Sequence, residues 1–383
     1  MRSSGVLAWT CLAVALACDG GESVLDIGLT GDNEAQPREH VCAPAPLSEE
    51  INKTYIGAVG DGFPLADESI PDGLGDSEEA RIRFGTSLKS DDGLWEVRPS
   101  PGKGLGIFAL QTIPAGTRII DESPLFTIDP GRLFNGQGFA FAAIAAAVDE
   151  AFAALNATAR AAFLSCPEHR DSDDEADAAW SREALIFRTN GFTMAGGTVG
   201  IFPRIAKLNH SCRPNAGTAS VGGSGGDEGP ARRVIYAARD IRAGEEVTIT
   251  YAPLVQTTDE RRARLAQWGF TCDCAACKAR DDDDQRVEMR RLMGVIEAEL
   301  GRDDFGGDVQ PDAEKLVKLV EEVGLADYLV KAYKYAAYAA SRSGKFGAAR
   351  RWARKELAMH EIADAQSRYA RETRAFLESL PLL

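Results

Sequence analysis

Three cysteines fall close together in Cys272-Asp273-Cys274-Ala275-Ala276-Cys277. Soft thiolates on so short a loop suit a metal such as Zn2+, which takes four ligands in a tetrahedron when its role is structural. The alternatives are a chance cluster or disulfides, but a disulfide framework would spread its cysteines more evenly. Of the others, Cys11 and Cys18 lie near the N-terminus and Cys42, Cys166 and Cys212 stand apart. A Cys212–His210 pair is a second chemistry for these residues, because a neighbouring imidazole can activate a thiol. A two-residue separation on a turn does not secure that geometry. The Asn209-His210 pair alone would suit a turn cap. Tyr251 closes a β-favouring run, where an aromatic ring usually enters a core. Finally, Gly102-Lys103-Gly104-Leu105-Gly106-Ile107-Phe108 is rich in glycine. No helical pattern follows it, so it is not a loop that holds phosphate on a helix N-terminus. Its glycines would instead let backbone groups approach a ligand closely.

The elements that must position these residues are mostly strands. From Trp95 to Phe126 short apolar runs are cut by Gly and Pro, which predicts strands joined by tight turns. The stretch Ala109-Leu110-Gln111-Thr112-Ile113-Pro114-Ala115-Gly116 followed by Ile119-Ile120 is echoed by Ala238-Arg239-Asp240-Ile241-Arg242-Ala243-Gly244 followed by Val247-Thr248-Ile249. Both read as strand, turn, strand, with glycine where the turn needs a positive φ. Between them, Phe139 to Leu164 is alanine-rich and predicts one or two inserted helices. An acidic loop, Asp171 to Asp177, follows, and Val221 to Gly229 predicts a hairpin tip too glycine-rich to pack. After Asp281–Asp284 the apolar spacing is helical to the end, and Ala332 to Met359 reads as helix, Gly344-Lys345 turn, helix.

Four stretches in this order resemble the SET-domain lysine methyltransferases: Gly102–Ala109, Leu208-Asn209-His210-Ser211-Cys212-Arg213-Pro214-Asn215-Ala216, Gly244-Glu245-Glu246-Val247-Thr248-Ile249-Thr250-Tyr251, and Arg264 through Cys277. The resemblance covers roughly residues 95 to 280. It is nearest the SET-and-MYND branch and fungal-type relatives, through Asn190-Gly191-Phe192-Thr193, Ile201-Phe202-Pro203 and the helical tail. Only Cys166 and His169 are soft ligands between Asp129 and Trp180, so the two-zinc MYND finger is missing. The resemblance implies an α+β protein: a SET domain over 95–252, a β-clip of short strands with a helical insertion at about 129–185. A zinc-bound post-SET segment over 253–280 and a C-terminal helical, TPR-like domain over 281–383 complete it. It also implies S-adenosylmethionine as cofactor, held by Lys103, Gly104, Leu105, Gly106, Asn209, His210, Tyr251 and Phe270, with His210 meeting the adenine edge through its backbone. Tyr251 becomes the catalytic tyrosine, and Phe192 and Trp268 become walls of a lysine channel. Cys212 joins Cys272, Cys274 and Cys277 as the fourth ligand of a structural zinc.

The sequence carries 43 basic and 58 acidic residues, a formal charge of −15, which repels polyanions and disfavours direct nucleic-acid binding. The expected partner is a protein with an accessible lysine in a basic segment, histone or not. Residues 1–17 read as a signal peptide, with Arg2, an apolar run from Val6 to Ala17 and a small-x-small end. The run is too short to span a bilayer. This start implies the secretory pathway or the exterior, whereas the family resemblance implies nucleus or cytoplasm. Residues 18–94 read as an acidic, poorly ordered arm. Two other functions stay open: a catalytically silent SET fold that binds, and a scaffold acting through the helical tail.

Overall fold

A computed structural model describes residues 89–133, 141–170, 180–194, 197–223, 229–302 and 307–381. The signal-like segment, the arm up to residue 88, the loop 171–177 and the centre of the 221–229 connector lie outside the described residues, as do Cys11, Cys18 and Cys42. No described helix is long and apolar enough to cross a membrane.

Strands β1 (Trp95–Ser100), β2 (Gly104–Ala109), β3 (Arg118–Glu122) and β4 (Thr127–Ile128) precede helices α1 (Phe141–Ala154), α2 (Ala157–Leu164) and α3 (Arg182–Asn190). Then come β5 (Gly191–Thr193), β6 (Val199–Ile201), β7 (Asn209–His210), β8 (Ala216–Val221), β9 (Arg232–Ala237) and β10 (Glu246–Ile249). Helices α4 (Thr258–Leu265), α5 (Ala275–Ala279), α6 (Asp283–Leu300), α7 (Gln310–Val323), α8 (Ala326–Arg342), α9 (Phe346–Asp364) and α10 (Arg368–Ser379) follow. The strands form three small sheets, ordered β1-β2-β10-β7, β3-β9-β8 and β4-β6-β5.

The two echoing stretches pair with each other. Phe108 lies opposite Glu246, Ile113 opposite Ile241, and Arg118 opposite Tyr236. The register is antiparallel and unbroken across all three contacts, so the echo folds about a local two-fold at the Ile113–Ile241 bridge. Those two isoleucines exchange backbone hydrogen bonds of 2.8 and 2.9 Å. Gly116 and Gly244 both take φ +81°, the left-handed turn that the sequence predicts at each. A first core gathers between these sheets around Trp95, Ile107, Ile113, Ile120, Phe202, Ile235 and Ile249. The Trp95 ring N–H is not left unpaired there, since it donates to Ile119 O at 3.1 Å.

The insertion packs its own core. Phe126, Phe163 and Phe187 meet with ring centroids 5.6 and 6.1 Å apart from Phe126, beside Ile144, Val148 and Ile186. The thiol of Cys166 is buried in that core, and burial pushes its pKa up to about 11. At the other end, α8 and α9 form the helix-turn-helix expected at Gly344-Lys345, with Gly344 at φ +69°. These helices touch the strands: Arg118 donates to Ile362 O, Thr218 N to Asp327, and Leu254 N to the Tyr328 hydroxyl.

Candidate functional site

The short parallel pairing of β7 with β10 makes the site. Thr248 lies opposite Asn209 and Ile249 opposite His210, while β10 also pairs with β2 on its other edge. Three distant pieces of sequence therefore meet along one strand. Asn215 stitches them: its amide donates to Glu246 O at 2.8 Å and its carbonyl oxygen accepts from Thr248 N at 2.8 Å, in a setting only 2% exposed. Upstream, the buried Glu122 carboxylate accepts from the Arg204 and Ile205 N–H groups, capping the turn that delivers Leu208 and Asn209.

On one side of β10 lies a polar patch over a bare strand. Asn209 donates to Leu105 O at 2.9 Å and to Glu246 Oε1 at 2.7 Å. Lys103 pairs with Glu246 Oε2 at 3.2 Å. A Cβ on Gly106 would stand 2.4 Å from Glu246 Oε1 and 3.0 Å from Asn209 Nδ2. A side chain at Gly106 would thus have to push the Glu246 carboxylate away from Asn209, so glycine keeps this cradle open, and Gly104 beside it holds φ +76°. Lys103, Gly104, Leu105, Gly106 and Asn209 are all here. Glu246 was missed from sequence: it stands in the quoted Gly-Glu-Glu motif, yet reads as an exposed strand charge until β10 is paired.

Tyr251 follows the end of β10, and its hydroxyl donates to Leu208 O at 2.5 Å. Burial, and secondarily the charge of Glu246, raise its phenol above the ordinary tyrosine range, so it stays neutral. His210 lies beside it, with ring centroids 5.5 Å apart, and burial lowers the imidazole to about 4. Trp268 sits 5.4 Å from Tyr251 and donates its ring N–H to Thr189 O. Phe270, 36% exposed, is 6.4 Å from His210. Phe192 stands differently: it meets Phe202 edge-on at 6.0 Å and carries the Arg233 guanidinium at 4.8 Å, so its ring faces are committed to the sheet.

On the other side of β10, Cys212, Cys272, Cys274 and Cys277 bring their sulfurs within 4.8 Å of one another, the group of metal-ligating type found among the described residues. Cys212 Sγ is 3.5 Å from Cys277 Sγ and 4.0 Å from Cys272 Sγ. A tetrahedral tetrathiolate with Zn–S bonds of about 2.3 Å has S–S edges of about 3.8 Å, between those two values. Hydrogen bonds from the Cys212 and Cys272 thiols hold Cys274 well below the usual thiol range, while those two thiols are pushed above it, so metal binding would have to displace their protons. The surroundings also fit: Arg261 is fully buried, and its Nε has no hydrogen-bond partner. Burial lowers that guanidinium's pKa, and the nearby Cys212 and Cys277 sulfurs more than reverse the effect. Arg262 donates to the carbonyls of Cys272 and Cys277. Arg286, also fully buried, grips Asp282 with bonds of 2.8 and 2.7 Å and donates to Cys212 O at 2.9 Å. These arginines read as solvated helix charges in the sequence, and no pattern marks them as buried. A capping box at Thr257 and Glu260 fixes the start of α4 and hence the placing of Arg261.

His210 Nε2 does reach Cys212 Sγ, at 3.2 Å. Cys212 has no exposed surface, so it is closed to a substrate in this structure.

Residues 104–252 match the SET domain family. Human N-lysine methyltransferase SMYD2 is 35% identical over 120 residues, which cover 30% of this chain and 26% of that protein. Human histone-lysine N-methyltransferase SMYD3 is 42% identical over 86 residues, covering 22% and 18%. Histone-lysine N-methyltransferase SET5 of the yeast Scheffersomyces stipitis is 38% identical over 102 residues, covering 26% and 19%. The chain spans about a quarter or less of the length of these relatives. Residues 104–252 thus match a SET domain, and over part of its length the chain is similar to the SMYD2, SMYD3 and SET5 lysine methyltransferases.

Proposed function

We propose that this chain transfers methyl groups from S-adenosylmethionine to lysine side chains of other proteins. The observation that carries the reading is the meeting, along β10, of the Gly106 cradle, Asn209 and the Tyr251 hydroxyl. Asn209 and the backbone around Leu105 and Gly106 would hold the amino-acid end of the cofactor, with Lys103 near its carboxylate. Phe270, exposed beside His210, would cover the adenine. Cys212, Cys272, Cys274 and Cys277 would hold a structural zinc that fixes the loop bearing Trp268 and Phe270.

S-adenosylmethionine, when bound, supplies an electrophilic methyl on a sulfonium. The protein's part is alignment, because in-line displacement by an amine needs geometry more than acid-base catalysis. The Tyr251 hydroxyl spends its proton on Leu208 O, which leaves its oxygen lone pairs as acceptors to orient the amine and face the electron-poor methyl. Trp268 beside it excludes water from the amine, and a desolvated lysine loses its proton more readily.

The test is incubation of zinc-replete protein with labelled cofactor and a lysate, followed by mapping of labelled lysines, with Tyr251→Phe in parallel. The variant should lose turnover while cofactor affinity stays nearly native, since the hydroxyl acts on the reacting groups and the ring fills space. Labelled lysines absent from the wild-type reaction, or full turnover in the variant, would overturn the reading. Labelling on histones against other proteins separates the two substrate classes.

A further inference from the structure

His210 stands between the two sides of the site and uses both ring nitrogens. Nδ1 accepts from the Tyr251 N–H at 3.0 Å. In a neutral imidazole one nitrogen accepts and the other carries the proton, so the proton is on Nε2. Nε2 faces Cys212 Sγ at 3.2 Å. The side chain is 4% exposed, with Tyr251 and Phe270 on either hand, which leaves no water to replace either bond. Turning the ring over would place a C–H against the Tyr251 N–H and strand a backbone donor.

Tyr251 depends on this contact because β10 ends at Ile249. Two residues further, its N–H has left the ladder and finds His210 instead. Its hydroxyl is tied to Leu208 O, and Ser211 N returns to Ile249 O at 2.9 Å. Both ends of Tyr251 therefore hang on residues 208–212, and Cys212 pins that turn to the cysteine loop.

We propose that the His210 side chain is a positioning residue that ties the Tyr251 backbone to the sulfur of a metal ligand, so that metal occupancy sets where the Tyr251 phenol stands. This rests on the methyl-transfer reading of Tyr251 and on zinc at the four thiols. A metal-bound thiolate is a hydrogen-bond acceptor, and bonds to ligand atoms of this kind steady both the ligand and the group that donates. The imidazole makes the two sites one unit.

Two substitutions separate the two bonds. His210→Asn places an amide oxygen near the Nδ1 position and removes the donor to sulfur. His210→Gln can reach the sulfur with its amide and leaves the Tyr251 N–H without an acceptor. Zinc release to a colorimetric chelator, cofactor affinity by calorimetry, and kcat and KM are measured for each. His210→Asn should release zinc about tenfold faster, with a smaller loss of kcat at saturating zinc than His210→Gln shows. His210→Gln should lower kcat about tenfold or more while its zinc release stays slower than that of His210→Asn. Equal losses of both properties in both variants would show that the ring only fills space, and no change in either would remove the bridge. Should the variants fail to fold, nitrogen NMR of the wild type decides. Among the chain's 4 histidines, His210 should carry its proton on Nε2, and chelation of zinc should shift its ring and the Tyr251 amide together. An Nδ1-protonated ring, or a Tyr251 amide indifferent to zinc removal, overturns the proposal. If the wild type transfers no methyl groups the proposed activity fails, while the zinc-release and NMR results still judge the bridge.

Discussion

The two sides of β10 hold polar groups in opposite ways. On the sulfur side Arg286 and Asp282 are 0% and 1% exposed and bonded to each other, and Arg261 is enclosed with them. On the glycine side Lys103 is 37% exposed and Glu246 17%, and one ion pair of 3.2 Å joins them. Buried charges that lose a partner pay a large desolvation cost, whereas exposed ones trade partners with water for little. The first arrangement is permanent, and the second can exchange Lys103 and Asn209 contacts for those of a ligand.

Substitutions can break or sharpen this contrast. The largest expected effect is on the thiols: one zinc per chain in the purified protein should fall to none in Cys272→Ser, with cofactor binding weakened and the strands still folded, by elemental analysis and calorimetry. Cys166→Ser should keep the metal. Next, Arg286→Ala leaves the buried Asp282 with Arg213 as its remaining ion-pair partner, at 2.9 and 2.8 Å, and should cost up to about 3–5 kcal/mol in urea unfolding. Asn209→Ala should weaken cofactor binding by up to about tenfold, because it removes hydrogen bonds present before and during transfer. Smallest of all, Lys103→Met should change stability by less than about 1 kcal/mol, and salt should erase the difference. If Lys103→Met destabilised the fold as much as Arg286→Ala, the two sides would not differ in kind.

What was legible in the sequence follows the same division. The turns at Gly116 and Gly244, the strands flanking them and the helices of the insertion are set by local rules, and each stands in the structure. The four cysteines were legible because thiols are scarce and their spacing is short. Glu246 was not, since an acidic residue opening a strand looks the same whether it faces water or Asn209; only pairing of β10 with both β2 and β7 turns it inward. Arg261 and Arg286 were hidden for a like reason. Arginine on a helix normally marks solvent, and here the charge of the sulfurs and Asp282 overrides that preference. Phe192, expected as a channel wall, gains partners distant in sequence, Phe202 and Arg233, that its motif does not reveal.

The pairing of the two echoing stretches also acts as a buckle. Residues 107–122 meet residues 233–247 antiparallel, with one shift of register between Arg118 and Ile120, and everything between them is one long loop as far as closure is concerned. Each doubling of such a loop costs only about 0.6 kcal/mol. Growth or loss of chain in that loop outside its packed helices and strands is therefore thermodynamically cheap. A single residue gained inside either arm of the buckle is another matter unless a bulge like the one at Arg118–Ile120 absorbs it, since a one-residue slip turns every side chain on the strand to the opposite face. The fold thus separates where its length is free to vary from where it is not, and the chemistry hangs on the part that cannot vary.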